Sequence, residues 1–253
     1  MKFILSIVGI IALLYHVAAL ALYLMQRSFI YFPTPVISHE FAEKLVDTGS
    51  GTTVKLIVGN KTMEEAVIYF GGNAESVAGS AGSYVTALSD RAVYMVNYRG
   101  YGGSDGVPTE ENLFSDAEVV FDSISKDHAN ISVIGRSLGS GVASWLAMQR
   151  PVKKLILITP YDSILNIAKA SYPIFPVEFL LKDQYRSVDY AASIDIPVLA
   201  ILAQNDVVIP SVNSHRLIDA FTHDIEVTVL PGAGHNDLQI HPEFYPLISE
   251  FLK

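Results

Sequence analysis

The sequence has 253 residues, a net charge of −9 at pH 7 and no cysteine. This length suits one large α/β domain with a substantial buried core. The absence of cysteine excludes disulfides and a cysteine nucleophile, and an acidic chain without a Lys/Arg cluster lacks the basic face that nucleic-acid binding needs.

The N-terminal segment predicts a helix that crosses a membrane. From Phe3 to Met25 the chain has no charged residue, and this stretch is long enough to span a bilayer as a helix. We therefore expect an N-terminal transmembrane helix that anchors the protein at residues 1–27. One folded domain is expected to follow at residues 28–253.

The flanks of this segment indicate its orientation. Lys2 and the terminal amine make the N-terminal flank more positive than Arg27 makes the other flank, which favours a domain on the exported side. A cleaved signal peptide is the alternative, because Ala19-Leu20-Ala21 matches a cleavage site. The apolar run continues past this site to Met25, which favours an uncleaved anchor.

The rest of the chain alternates between short apolar runs and longer amphipathic segments. The apolar runs predict buried strands at Thr53–Val58, Ala66–Phe70, Ala92–Asn97, Ile131–Ile134, Lys154–Thr159, Val198–Ala203 and Ile225–Leu230. The amphipathic segments predict helices at Glu75–Leu88, Thr109–Ile124, Leu138–Gln149, Ser211–Phe221 and Pro242–Leu252. This alternation predicts an α/β fold in which helices cover both faces of a mostly parallel sheet.

One connection is much longer than the others. Residues 161–190 separate a predicted strand from the next helix, and they are rich in apolar and aromatic side chains. Long insertions in compact domains are often lids, and this one follows the carboxyl end of a strand. We expect a small cap there, and an ordinary packed helical excursion is the alternative.

The motif Gly135-x-Ser137-x-Gly139 lies where a β-branched strand becomes an Ala-rich helix. Such a motif is typical of a nucleophile elbow, in which a strained turn exposes one serine and flanking glycines avoid clashes. An ordinary turn made of glycine and serine is the other interpretation. The elbow requires an acid and a histidine elsewhere in the chain.

Both partners follow later strands in the order Ser, acid, His that this type of fold requires. Asp206 comes just after one predicted strand, and His235 lies in a Gly-rich turn after the next. In a serine triad the histidine takes the proton of the Ser137 hydroxyl, and the acid orients the histidine. Asp162 is the main rival for the acid, whereas Asp237 lies too close in sequence to His235.

A tetrahedral intermediate also requires hydrogen-bond donors for its oxyanion. One is expected to be the backbone N–H of Leu138, and the second the backbone N–H of Asn73, in the loop after the Ala66–Phe70 strand. Gly71 and Gly72 are predicted to contact substrate, as is Tyr161 at the start of the cap. In the alternative interpretation the glycine pair only turns the chain into a helix.

Nothing in the sequence predicts a metal or a cofactor. The seven histidines lack the spacing of a metal site. Gly100-x-Gly102 follows a strand, but residues 97–113 contain neither a full dinucleotide fingerprint nor a Walker sequence. Tyr98 and Arg99 in this segment are expected to have structural roles.

From residue 26 to its end, the chain resembles the membrane-anchored α/β-hydrolase-domain serine hydrolases, including the bud-emergence-suppressor-like group. The resemblance rests on six motifs in order, QRSFIYFPTP, YFGGNAES, NYRGYGGSDGVPTEENLFSDA, GRSLGSG, QNDVVIP and GAGHNDL. It implies the α/β-hydrolase fold, nucleophile Ser137, acid Asp206, base His235 and an oxyanion loop at Asn73. Many relatives have His-Gly-Asn in that loop, whereas this chain has Gly71-Gly72-Asn73.

Together the residues and the resemblance predict a serine hydrolase of carboxylic esters or thioesters. The resemblance implies relatives that include esterases, thioesterases and protein depalmitoylases. The apolar cap and the anchor favour a small-molecule or lipid-like acyl substrate. A serine peptidase or amidase with the same triad, and a hydrolase-fold binding protein without activity, are the alternatives.

Overall fold

A computed structural model of the chain describes residues 1–49 and 51–253. Strands lie at Ala42–Asp47 (β1), Thr53–Gly59 (β2), Ala66–Phe70 (β3), Ala92–Val96 (β4), Ile131–Arg136 (β5), Leu155–Ile158 (β6), Val198–Ala203 (β7) and Glu226–Leu230 (β8). Within the described residues they form one sheet in the order β1-β2-β4-β3-β5-β6-β7-β8. β2 pairs antiparallel with β1 and β4, and the other neighbours pair parallel.

The helices follow the strands along the chain. They lie at Lys2–Ile30 (α1), Val77–Ala87 (α2), Glu110–Ile124 (α3), Leu138–Gln149 (α4), Ile164–Ser171 (α5), Val177–Leu180 (α6), Ser187–Ala191 (α7), Ser211–Ile218 (α8) and Phe244–Leu252 (α9). A 3₁₀ turn spans Leu238–Ile240. The predicted mostly parallel sheet with helices on both faces is confirmed.

The sheet separates two hydrophobic cores, and strand β3 shows how. Its side chains alternate between faces, as the strand period of two requires. Ala66, Ile68 and Phe70 belong to the core that includes buried residues of α3 and α4. Val67 and Tyr69 belong to the core that includes buried residues of α2 and α9. Burial on both faces explains the continuous apolar runs in the sequence.

Strand β1 was not predicted. Only Val46 of its six residues is buried, because β1 is an edge strand that is otherwise largely open to solvent. Its sequence AEKLVD therefore lacks the apolar run that marks the central strands. Helix α2 also begins two residues later than predicted, because the Glu75 side chain turns back to accept a hydrogen bond from the Gly72 N–H.

Helix α1 extends from Lys2 to Ile30, three residues beyond the predicted end of the anchor. The mean hydropathy of its most apolar 18-residue window is 2.5, so α1 is long and apolar enough to cross a membrane. Most of its side chains are exposed, whereas Gln26 and Ile30 in its last two turns are buried. The last two turns of α1 pack against the predicted cap, residues 161–190. This segment contains α5, α6 and most of α7.

Candidate active site

The predicted site residues lie in loops at one edge of the sheet. Ser137 directly follows β5, Asp206 follows β7 and His235 follows β8. These strands are parallel, so their carboxyl ends face the same side. Asn73 follows β3, which is parallel to β5, and lies at the same edge. Ligands of open α/β sheets bind at this edge.

Ser137 occupies a strained turn between β5 and α4. Its φ of 49° and ψ of −118° lie in a region that residues with a Cβ rarely adopt. A Cβ at Gly135 would overlap the carbonyl of Gly139, and a Cβ at Gly139 would overlap the carbonyl of Phe70. The glycines on either side of Ser137 are therefore required for the turn to pack against the sheet.

Ser137, His235 and Asp206 form one hydrogen-bonded chain. The distance from His235 Nδ1 to Asp206 Oδ2 is 2.8 Å, and that from His235 Nε2 to Ser137 Oγ is 2.9 Å. An ionised carboxylate can only accept a hydrogen bond, so Nδ1 carries the imidazole proton. Nε2 is then left to accept from the Ser137 hydroxyl, which is the arrangement a general base needs.

Asp206 is held in place by its second oxygen. Oδ1 accepts hydrogen bonds from the backbone N–H groups of Val208 and Ile209, each at 2.8 Å. Burial alone would raise the pKa of the Asp206 carboxyl, but the hydrogen bonds from His235, Ile209 and Val208 outweigh it and lower that pKa below its ordinary value. The carboxylate therefore remains ionised at neutral pH.

Two backbone N–H groups are available to an oxyanion. Among the described residues, no acceptor bonds the N–H of Asn73 or of Leu138. Leu138 begins helix α4, where the first N–H groups have no partner within the helix and the positive end of the helix dipole favours an anion. The Asn73 side chain fixes its loop, because Oδ1 accepts hydrogen bonds from the Phe32 N–H (2.9 Å) and the Tyr101 hydroxyl (3.3 Å).

A cavity of about 480 Å³ opens at Ser137, within the usual size range of ligand pockets. Its lining is mostly apolar, with the predicted triad serine and histidine among the few polar groups. The lining residues are Phe29, Ile30, Phe32, Asn73, Ala74, Ser137, Leu138, Tyr161, Ile164, Ile167, Val208, Ile209, His235 and Asn236.

Of the three residues predicted to contact substrate, one lines the cavity and two do not. Tyr161 lines the cavity, and its hydroxyl donates to the carbonyl of Leu138 at 3.2 Å. Gly71 and Gly72 lie outside the lining. The Gly71 carbonyl accepts from the Tyr98 hydroxyl at 2.8 Å, and the Gly72 N–H donates to Glu75 at 2.8 Å. The backbone groups of both glycines are thus bonded within the fold, and Asn73 and Ala74 are the residues of this loop that line the cavity.

The rival carboxylates are engaged elsewhere. Asp162 is fully buried and accepts hydrogen bonds from Asn166 Nδ2 and Asn213 Nδ2 at 2.6 and 2.7 Å. Asp237 accepts from the N–H of Gly234 within its own turn. Of the three carboxylates considered from the sequence, Asp206 is the one that contacts His235.

The glycine-rich segment 97–113 has a structural role. Tyr98 donates to the oxyanion loop as described, and Arg99 forms an ion pair with Asp116 of α3 at 2.7 Å. Within the described residues, no group of three or more His, Asp or Glu side chains is arranged to hold a metal ion.

Sequence reasoning missed two sets of residues at this site. Arg136, next to Ser137, forms a buried ion pair with Glu75 at 2.9 Å. A charged residue at the end of an otherwise largely apolar strand is the signal that could have identified it. Phe29, Ile30 and Phe32 line the cavity. These residues belong to the motif QRSFIYFPTP, in which nothing local indicates that the segment lies over the site.

Comparison with known proteins gives clear relatives. The chain is 34% identical to the uncharacterized protein Rv2307c of Mycobacterium tuberculosis, over 93% of this chain and 89% of that protein. It is 26% identical to human alpha/beta hydrolase domain-containing protein 17B, over 74% of this chain and 65% of that protein. It is 31% identical to the Arabidopsis thaliana alpha/beta hydrolase domain-containing protein WAV2, over 47% of this chain and 44% of that protein. No protein-family model matches the chain.

Solved structures show the same fold. The Pyrococcus furiosus esterase Pf2001 superposes with a TM-score of 0.70 at 18% identity, covering 87% of this chain and 97% of that one. Est1E of Butyrivibrio proteoclasticus, solved with ferulic acid bound, superposes with a TM-score of 0.66 at 18% identity. The match covers 82% of this chain and 95% of that one. The fold is therefore the α/β-hydrolase fold, and the chain belongs to the α/β-hydrolase-domain family.

Proposed function

We propose that this protein is a serine hydrolase that cleaves carboxylic ester or thioester bonds of acyl or lipid-like substrates through an acyl-Ser137 intermediate. The observation that carries the proposal is the hydrogen-bonded chain from Asp206 through His235 to Ser137, at 2.8 and 2.9 Å. The esterase folds of the structural neighbours agree with hydrolysis as the reaction class.

In the acylation half-reaction, Ser137 Oγ attacks the carbonyl carbon while its proton passes to His235 Nε2. Asp206 stabilises the imidazolium that forms. The tetrahedral intermediate then collapses, the carbon–oxygen or carbon–sulfur bond breaks, and the imidazolium returns the proton to the leaving alcohol or thiol. The product left on the enzyme is an ester of Ser137.

In the deacylation half-reaction, water replaces the leaving group. His235 takes a proton from water, hydroxide character develops on the attacking oxygen, and the ester bond to Ser137 breaks. The serine regains its proton and the carboxylic acid departs. No oxidant, reductant or metal is needed to balance either step.

The oxyanion of both intermediates is assigned to the N–H groups of Leu138 and Asn73. Both residues line the cavity beside Ser137. Such preorganised donors are each worth about 3–4 kcal/mol of transition-state stabilisation. The N-terminal end of α4 adds a favourable dipole at the same point.

We also propose that α1 is retained in the mature protein as a single-pass anchor, with the domain on the exported side. The support for retention is that Tyr15, which precedes the alternative cleavage site, contacts the cap, because its hydroxyl donates to the carbonyl of Ile174 at 3.0 Å. The support for orientation is the charge asymmetry between Lys2 and Arg27. The intact mass of membrane-extracted protein tests retention, because cleavage after Ala21 would remove the first 21 residues.

The direct test is hydrolysis of matched substrates. An ester, a thioester and an anilide with the same acyl chain are compared with wild-type protein and with Ser137→Ala. We expect turnover of the ester and thioester that Ser137→Ala loses, and little turnover of the anilide. Preferred cleavage of the anilide would indicate an amidase, and equal rates for wild type and variant would overturn the proposal.

A further inference from the structure

A second cavity lies between the end of α1 and the cap. Its volume is about 240 Å³, and its lining is almost wholly apolar. The lining residues are Leu22, Tyr23, Gln26, Phe29, Ile30, Ile164, Ile167, Ala168, Ser171, Tyr172, Phe175, Val177, Leu180 and Leu181. We call this space the α1–cap cavity.

The α1–cap cavity adjoins the cavity at Ser137. Phe29 and Ile30 of α1 and Ile164 and Ile167 of α5 line both. The two spaces thus share a wall made of apolar side chains from the two helices. Neither lining contains an Asp, Glu, Lys or Arg side chain.

Polar contacts at the end of α1 hold this wall in place. Gln26 Nε2 donates to the carbonyl of Leu180 at 3.1 Å, and Gln26 Oε1 accepts from the N–H of Lys182 at 2.7 Å. Arg27 forms an ion pair with the buried Asp183 at 2.8 Å. Because the amide nitrogen and the amide oxygen of Gln26 both bond the backbone of the cap, they specify one packing of α1 on the cap.

The cap also contacts α1 well inside its apolar stretch. The Tyr15 hydroxyl donates to the carbonyl of Ile174 at 3.0 Å, and its ring stacks on Phe175 with centroids 5.1 Å apart. Lys182 Nζ lies 4.4 Å from the Tyr23 ring centroid, a Lys–aromatic pair of the kind found at membrane interfaces. At 1.5 Å per residue, Tyr15 lies about 12 Å deeper along α1 than Tyr23.

Two large apolar side chains at the tip of the cap are exposed. Ile174 is 71% exposed and Phe179 is 85% exposed. Lys169 and Glu178, the charged residues nearby on the cap, form an ion pair at 3.0 Å. Large exposed apolar side chains beside a membrane-crossing helix are expected to enter the bilayer with it.

We propose that the α1–cap cavity binds the acyl chain of a membrane lipid substrate whose ester or thioester carbonyl lies at Ser137. The acyl-chain site rests on the proposed function, because it extends the same active site. The lipid reaches Ser137 from the bilayer along α1, past the tip of the cap. Helix α1 is in this view a wall of the substrate site as well as an anchor.

The test fills the α1–cap cavity with a larger side chain and leaves the residues that line the cavity at Ser137 unchanged. Ala168 lines the α1–cap cavity and not the cavity at Ser137, so Ala168→Trp fills the former. Ala170, two residues on along α5, is exposed and lines neither cavity, so Ala170→Trp is the matched control. Full-length proteins in phosphatidylcholine nanodiscs are assayed with 4-nitrophenyl acetate and 4-nitrophenyl laurate.

We expect Ala168→Trp to lower kcat/KM for the laurate by about tenfold or more, and for the acetate by less than about twofold. Only the laurate chain is long enough to need the α1–cap cavity, which the tryptophan fills. Ala170→Trp should change neither value. Equal effects of Ala168→Trp on both esters, or no effect on the laurate, would overturn the acyl-chain site while leaving the proposed function intact. Absence of Ser137-dependent turnover in wild-type protein would instead overturn both.

A second experiment tests whether the acyl chain of the substrate enters from the bilayer. The double variant Ile174→Ser, Phe179→Ser changes two exposed side chains that line neither cavity. We expect it to hydrolyse 4-methylumbelliferyl palmitate embedded in phosphatidylcholine vesicles several-fold more slowly than wild type, with soluble 4-nitrophenyl acetate unchanged. An unchanged rate on the embedded ester would contradict entry from the bilayer.

Discussion

Arg136 and Glu75 form a buried ion pair that connects three loops of the proposed active site. Arg136 Nη1 lies 2.9 Å from Glu75 Oε2, and Arg136 Nη2 donates to the carbonyl of His235 at 3.1 Å. Glu75 also accepts from the Gly72 N–H and from the Tyr69 hydroxyl. Burial alone would lower the pKa of the Arg136 guanidinium, but the attraction of Glu75 outweighs it and raises that pKa. The Arg136 guanidinium is therefore charged within the fold.

Removing one charge of this pair is expected to be costly. Glu75→Gln leaves the buried Arg136 guanidinium without a counter-charge, and we expect a loss of about 3 kcal/mol in the free energy of unfolding. Asp122→Asn is the matched control, because Asp122 pairs with Arg150 at an exposed site and should contribute less than about 1 kcal/mol. Urea unfolding of the two variants checks this. A cost for Glu75→Gln no larger than that of the control would contradict the proposed linkage of the loops.

The half-buried Asp206 and the fully buried Asp162 should differ in how much their substitution lowers the rate. Asp206→Asn allows the side chain to donate to His235, which favours the wrong imidazole tautomer, and kcat should fall by about ten-thousand-fold. Asp162 accepts hydrogen bonds from Asn166, Asn213 and the Ser163 N–H, and it pairs with Arg216 at 3.7 Å. None of these partners belongs to the proposed triad, so folded Asp162→Asn should keep kcat within about threefold while losing stability. Steady-state kinetics on a soluble ester separate the two. A similar loss for both variants would remove the assignment of Asp206 as the acid.

Asp206 should also make stability depend on pH. Its pKa is lower in the folded chain than in the unfolded chain, where it is about 3.9, so the folded state binds fewer protons. The resulting stability is present above that unfolded value and is lost as pH falls through the folded one. Thermal unfolding of wild type and Asp206→Asn at pH 6 and pH 3 checks this. The difference in Tm should shrink at the lower pH, and a difference that grows would show the opposite sign.

The side chain of Asn73 is predicted to position the oxyanion loop without contacting the oxyanion. Asn73→Ala keeps the backbone N–H but removes the side-chain oxygen that accepts from the Phe32 N–H and from the Tyr101 hydroxyl, and leaves the Phe32 N–H bonded to Tyr101 alone. We expect kcat to fall by about tenfold with KM little changed, less than the hundredfold or more that loss of an oxyanion donor costs. A loss as large as that of Ser137→Ala would mean that the amide itself acts on the reacting atoms.

Sequence reasoning reached the fold because the central strands are buried on both faces. Runs such as Leu155–Ile158 and Val198–Ala203 are continuous in Val, Ile, Leu and Ala. Parallel strands then bring the loops after β5, β7 and β8 to one edge. That topology is enough to bring Ser137, Asp206 and His235 together. Edge strand β1 has no such pattern and was missed.

Contacts between segments distant in sequence were beyond the same reasoning. Gln26 gives no local sign that it binds the backbone on both sides of Leu181, more than 150 residues away. Phe32 likewise gives no sign that its N–H binds Asn73. Their positions depend on how α1 packs on the cap, and that packing follows from the three-dimensional fit of apolar side chains, which has no period along the chain.

The most direct test of the central claim is covalent labelling of the proposed nucleophile. Full-length protein is treated with a fluorophosphonate probe, which reacts with activated serines, and the labelled peptide is identified by mass spectrometry. Ser137→Ala is the test variant, and Ser125→Ala, which changes an exposed serine at the end of α3, is the control. We predict one labelled peptide containing Ser137 in wild type and in Ser125→Ala, and none in Ser137→Ala. Equal labelling of Ser137→Ala would contradict a serine hydrolase built on this residue.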